Sequence, residues 1–188
     1  MAGCFEEIEN EDLNSCINSE IQAGLSEVGL YYAIHEQATA IPEPLSPGDE
    51  DYDFESAVTV TTDITFPVGK GFGKITLQTD TGELKLDLVG NKGNKKHKQQ
   101  LMFSVPGNSK KLLGFIRTLK NTPLLFIATE RDGQKRLVGD KNNPAYIMEA
   151  AGTTGKGGED DKNVVFTIET YAKPIVYEGV ITANVPPV

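Results

Sequence analysis

Residues 99–139 read QQLMFSVPGNSKKLLGFIRTLKNTPLLFIATERDGQKRLVG, and their punctuation leaves few folds open. The order is a strand, a Pro-Gly break, a short amphipathic helix, an Asn-Thr-Pro break and a hairpin closed by Asp132 and Gly133. Leu112, Ile116 and Leu119 recur at i, i+4 and i+7, and Leu113 and Phe115 widen the stripe, so one side of the helix must find an apolar surface. Asn108 or Ser109 can cap it by accepting from backbone N–H groups of the first turn, and Pro123 cannot extend it because its nitrogen carries no hydrogen. The spacing therefore predicts a helix near 109–120, about three turns long. Residues 124–129 are an almost unbroken apolar run, as expected of a strand covered on both faces. Asp-Gly offers the positive backbone angles of a tight two-residue hairpin leading into a strand at 134–139. The simplest architecture is mainly β with an α+β character: an antiparallel β-sandwich or barrel with one flanking α-helix.

The remaining chain fits that frame. Residues 1–23 read as an amino-terminal arm, acidic through Glu6, Glu7, Glu9, Glu11 and Asp12 but carrying Phe5, Ile8 and Leu13 among the charges. Such a mixture suits an arm ordered against a neighbouring subunit, and equally a short amphipathic helix on its own domain. Residues 24–188 read as a single β-rich domain, large enough to bury a core without staples. Strands are expected at 30–35, 57–66, 75–79, 84–89, 101–105, 164–171 and 176–181, with 145–150 a strand or a connector. In 84–89 clean alternation puts Leu84, Leu86 and Leu88 on one face and Lys85 and Asp87 on the other. The glycine-rich segment 69–74 matches neither dinucleotide nor Walker spacing and reads as a turn or bulge.

Chemistry is sparse. A net charge of -9 and a pI near 4.8 argue against general nucleic-acid binding, which draws on clustered Lys and Arg. Cys4 and Cys16 form neither a CxxC pair nor a disulfide framework and are expected as reduced thiols. Asp49, Asp51 and Asp53 imitate a calcium loop, but the sixth and twelfth positions hold Phe54 and Val60 instead of Gly and Glu. His35 and His97 read as solvated histidines. With no nucleophile elbow, no paired histidines and no tryptophan, no catalytic, cofactor-binding or metal site is expected, and no enzymatic activity. No apolar run approaches the roughly 20 residues of a membrane span, and the acidic start lacks a leader's basic and apolar regions, so a cytoplasmic product is expected.

The distribution of charge is more informative. A basic loop at 91–98 carries Lys92, Lys95, Lys96 and Lys98 without an acid. Acidic segments lie at 43–55, with Asp49 and Asp51, and at 159–161, with Asp160 and Asp161. Solvated loops account for this; so does heterologous contact, in which the basic loop of one copy meets acidic surface on the next and builds rings or open stacks.

Several phrases, taken in order, resemble the tail tube proteins of long-tailed bacteriophages and the related secretion-system tube proteins. They are Lys85-Leu86-Asp87-Leu88 before the long loop, residues 103–108 (FSVPGN) before the helix, Asp132-Gly133 followed by Arg136-Leu137-Val138-Gly139, the Thr154-Gly155 loop, and Pro174 ahead of Tyr177-Glu178-Gly179. The similarity spans residues 57–181 as a succession of elements. It implies hexameric rings whose inner sheets join into a cylinder, rings that stack, other phage tail proteins as partners, and DNA only as transient cargo in the lumen. It also implies a virion location after assembly in the host cytoplasm, with the long loop and the amino-terminal arm engaging neighbouring rings. A tail terminator or head-to-tail adaptor is the nearest alternative, and a small all-β carbohydrate- or peptide-binding module the alternative from another class. Cations facing a lumen would hold passing phosphates, so the lysine loop is expected to face an adjacent subunit.

Overall fold

The computed structural model describes residues 22–184; the expected contact residues Phe5, Ile8 and Leu13 lie outside them. Among the described residues the elements are β1 (Leu25–Ile34), a 3-10 turn (His35–Gln37), β2 (Thr59–Val60), β3 (Gly73–Ile75), β4 (Glu83–Val89), β5 (Lys96–Pro106), α1 (Lys110–Leu119), β6 (Leu124–Glu130), β7 (Lys135–Val138), β8 (Tyr146–Gly152), β9 (Asn163–Thr170) and β10 (Ile175–Tyr177). They form a six-stranded sheet in the order β2-β10-β7-β6-β1-β3 and a four-stranded sheet in the order β4-β5-β9-β8. Every pairing is antiparallel except β10 with β2. The expected mainly β fold with one flanking helix is the fold observed, as a sandwich.

The apolar run in β6 explains the layering. Leu124, Phe126 and Ala128 enter the core shared with the four-stranded sheet, where Leu101, Phe103, Phe166 and Ile168 meet them. Leu125 and Ile127 point the other way, into a second core with Val60, Ile64, Phe72, Leu137, Ile175 and Tyr177. A strand with period-two geometry can be apolar throughout only if both faces are covered. Segments 38–41 and 64–72 supply the second cover.

Helix α1 is capped as its sequence requires: Ser109 Oγ accepts from the Leu112 N–H at 3.2 Å. Its stripe, Leu112, Phe115, Ile116 and Leu119, closes the shared core. The Phe115 ring stands edge-on to Tyr32 at 4.9 Å and to Phe166 at 6.0 Å.

Several expectations need correction. The turn between β6 and β7 is a three-residue loop: Glu130 N–H donates to the Gln134 carbonyl, Gly133 N–H donates to the Glu130 carbonyl, and Gly133 alone takes a positive φ of 95°. Asp132 keeps ordinary angles, so this is a type I turn with a glycine bulge rather than a two-residue hairpin. Residues 57–66 form a strand only at Thr59–Val60. Beyond it the segment becomes the lid of the second core, anchored where Ile64 N–H donates to Tyr177 Oη at 3.0 Å and Asp63 accepts from Val180 N–H at 2.7 Å. The expected strand at 75–79 ends at Ile75, after which the chain crosses between sheets, with Leu77 N–H donating to Glu27 and Gln78 N–H to Ser104. The expected turn or bulge at 69–74 is a turn only at its start, since Gly73 and Lys74 already belong to β3; a Cβ on Gly71 would lie 2.6 Å from the Thr182 carbonyl oxygen.

The chain also crosses between sheets from β7 to β8 and from β9 to β10, and one buried carboxylate holds both crossings. Asp140 Oδ1 accepts from the N–H groups of Asn142 and Asn143 at 2.9 and 2.7 Å, and Oδ2 accepts from Lys173 N–H at 3.3 Å. Beside it, buried Gln99 donates from Nε2 to the carbonyls of Ala172 and Lys173. His35 Nε2–H donates to the Asp140 carbonyl at 3.0 Å, so this histidine is a structural anchor rather than the solvated side chain expected.

Candidate subunit interface

The four-stranded sheet ends in two seven-residue strands, whereas the six-stranded sheet ends in β2 and β3, of two and three residues. β4 pairs with β5 alone and β8 with β9 alone, so both margins present unpaired backbone groups among the described residues. The alternation that buries Leu101, Phe103, Phe166 and Ile168 turns Lys85, Asp87, Lys98, Gln100, Thr167 and Glu169 outward. On that outward face two lysines are matched. Lys98 Nζ lies 3.0 Å from Glu169 Oε1, which also accepts from Gln100 Nε2 at 2.9 Å, and Lys85 lies 3.5 Å from Glu83. The bond to Glu169 holds the Lys98 ammonium above the usual lysine range.

The basic segment is shorter as a loop than its composition implies. Only residues 90–95 turn; Lys96, His97 and Lys98 already belong to β5. The expected loop at 91–98 is thus corrected to a tight turn at the tip of a long hairpin, carrying exposed Lys92 and Lys95 with Lys96 beside them. The lysines split accordingly: Lys98 is committed to Glu169, whereas Lys92, Lys95 and Lys96 crown the tip.

Strand directions place the acidic candidates. Gln99 of β5 pairs with Thr170 of β9, and Pro106 with Asn163, so the turn joining β8 to β9 lies at the opposite end of the sheet from the lysine tip. β5 has 11 residues, which separates the two ends by about 35 Å. Within that far turn Asp160 accepts from the N–H groups of Lys156 and Gly157 at 2.6 and 2.8 Å, and these bonds hold its carboxyl below the usual range. Asp161 accepts from Gln78 Nε2 at 3.2 Å. Exposed Glu159 completes the acidic group, alongside Lys156 and Lys162.

The other acidic segment folds on itself. Asp49 accepts from Ser46 N–H at 2.6 Å, Asp51 takes a positive φ of 62°, and Asp53 accepts from Ser56 N–H at 2.6 Å, which lowers its pKa. These carboxylates shape turns; they do not converge on a common point. Asp53 also borders a cleft of about 520 Å³ lined by Pro42, Glu43, Leu45, Glu55, Thr59 and Glu178 among others, with no cation, histidine or thiol in its wall among the described residues. Glu43 Oε1 accepts from Asn142 Nδ2 at 3.5 Å, which places this side of the molecule near the start of β8.

Sequence reasoning assigned no role to the margins of β4 and β8 as a pair, because strand order is not written in either strand. Nor did it find Asp140, whose Asp-Lys-Asn-Asn context reads as an ordinary turn. No helix among the described residues is long and apolar enough to cross a membrane. Comparison of the chain with family models, with curated proteins and with solved structures found no match.

Proposed function

We propose that the protein is a virion structural protein of a long-tailed bacteriophage or prophage, a tail tube subunit whose copies close into rings that stack into a conduit. It acts by self-assembly and carries out no reaction. The observation that carries this reading is the four-stranded sheet with two open margins. Its strands alternate in direction and are even in number, so a copy related by rotation brings its β4 beside β8 of the first without breaking the antiparallel alternation. Repeating that step buries both margins of every copy, which is the only complete remedy for an exposed edge. A bulge between Ile147 and Glu149 interrupts β8, so the shared ladder runs on either side of it.

The outward face of the sheet would then line the lumen. Its lysines at 85 and 98 lie against Glu83 and Glu169, so the wall offers phosphates matched pairs rather than free cations. The unmatched lysines, Lys92, Lys95 and Lys96, sit on a tip that projects along the strand direction, where a stacked ring would meet it. Other tail proteins at the ends of the stack are the further partners this role requires.

Negative-stain microscopy and light scattering on purified protein over a range of concentrations test the proposal. Rings or tubes with a central hole are expected. A compact monomer under every condition would overturn it. In the Lys92→Glu, Lys95→Glu double variant rings should persist while stacks fail, because the substitution touches the tip and leaves both margins intact.

A further inference from the structure

The face of β4 that points into the sandwich outruns its cover. Leu84 lies against the shared core, but Leu86 and Leu88 on the same face are 49% and 61% exposed. Two leucines in line on a strand, with only His97 and Gln99 opposite them on β5, leave an apolar strip on an otherwise polar hairpin. Three lysines without an acid crown its far end.

The described chain begins beside the root of this strip. Leu25 N–H donates to the Gly82 carbonyl at 3.1 Å, and Gly82 immediately precedes β4. The 21 residues upstream of Gln22 can span about 70 Å when extended, whereas Leu88 lies about 20 Å along the strand from Gly82. Those residues contain Phe5, Ile8, Leu13, Ile17 and Ile21. They also contain Glu6, Glu7, Glu9, Glu11, Asp12 and Glu20, with no Lys or Arg. Apolar groups to cover leucines and carboxylates to meet a lysine tip thus join the described fold within reach of both.

We infer that, in the unassembled subunit, the amino-terminal arm of the same chain docks along Leu86 and Leu88 and sets its carboxylates against Lys92, Lys95 and Lys96. The contact continues the seam that starts with Leu25 and Leu84 in the core. It removes apolar surface from water and is strengthened by charge at low ionic strength. This contact is made within one copy, so it stands apart from ring formation and is tested on monomer.

Cys4 and Cys16 are the only thiols of the chain and both lie in the arm. Leu88→Cys therefore reports on docking through disulfide formation under mild oxidation of dilute protein, mapped by peptide mass spectrometry. Leu113→Cys, on the outer side of α1 and not in its buried stripe, is the control, 49% exposed against 61% for Leu88. The expected result is an intramolecular disulfide between the introduced thiol and Cys4 or Cys16, formed in the Leu88→Cys protein in at least tenfold higher yield than in the Leu113→Cys protein. Adding Lys92→Glu, Lys95→Glu and Lys96→Glu should lower that yield severalfold, as should 1 M salt. Equal yields at positions 88 and 113 would overturn the inference. So would a disulfide found only between chains, which would assign the strip to the arm of a second copy.

Discussion

The two sheets of this molecule share a core yet treat their other faces oppositely. The six-stranded sheet is covered on both sides: β6 buries Leu124, Phe126 and Ala128 toward its partner sheet and Leu125 and Ile127 beneath the lid formed around Ile64 and Phe72. The four-stranded sheet buries one face and wets the other, and among the described residues its margins are seven-residue strands, where the six-stranded sheet ends in β2 and β3 of two and three residues. Both sheets thus hold the fold together through the shared core, and they differ in whether the opposite face is covered. Substitutions should separate accordingly. Phe126→Ala removes a fully buried ring from the shared core and is expected to cost about 3–5 kcal/mol in urea unfolding. Val165→Ala, on the outward face of β9, should cost under about 1 kcal/mol. Comparable losses at the two positions would erase the distinction between the covered and the wet faces.

A smaller effect is expected where the layers are joined. Asp140 holds two of the crossings between sheets, β7 to β8 and β9 to β10, through backbone N–H groups on both, and its carboxylate is buried. Asp140→Ala leaves those donors without an acceptor and should cost about 2–3 kcal/mol. Asp140→Asn keeps one oxygen for Asn142 and Asn143 but offers Lys173 a second donor, so it should fall between Ala and the native residue. Thermal unfolding of the three proteins gives the order. An Asn variant as unstable as the Ala variant would mean that the bond to Lys173 is the one that matters. Unfolding in two separate transitions would show that Asp140 couples two layers able to melt independently.

The layered core was largely legible in the sequence, because its signals are local. The spacing of Leu112, Ile116 and Leu119 with Ser109 before them fixes α1, and the unbroken run in β6 requires cover on both sides. Residues 57–66 misled for a definite reason. Their valines and threonines suit a pleated surface, but β-propensity measures fit to neighbouring strands, and here only Thr59 and Val60 have one. Tyr177 claims Ile64 instead, a tertiary hydrogen bond with no local signature. The candidate interface was legible by composition and not by placement. Alternation assigned Leu84, Leu86 and Leu88 to one face correctly, but where cover ends along that face depends on the length of the opposing sheet. The lysines of 91–98 were conspicuous, yet which of them pair depends on Glu169, far along the chain and brought beside β5 by β9. That the lysine tip and the Asp160 turn lie at opposite ends follows from strand order alone, which no single segment encodes.

The mildest test acts on the far end of the four-stranded sheet without touching the covered layer. The Lys156 and Gly157 N–H groups stabilise the Asp160 carboxylate and hold its pKa below the ordinary aspartate value of about 3.9. A carboxyl whose folded pKa is depressed stabilises the fold above its unfolded pKa, and that contribution fades as pH falls through the lower, folded value. The turn between β8 and β9 should therefore keep its form from neutral pH to below pH 4 and loosen only under stronger acid. In an NMR titration the amide protons of Lys156 and Gly157 should shift together with an apparent pKa below that of aspartate in an unstructured peptide. Asp160→Asn should abolish the shared titration and leave resonances of Phe126 and Ile127 unmoved. If those core resonances followed Asp160 instead, the turn would be coupled to the covered layer, and the contrast between covered and exposed parts would not extend to this end of the molecule.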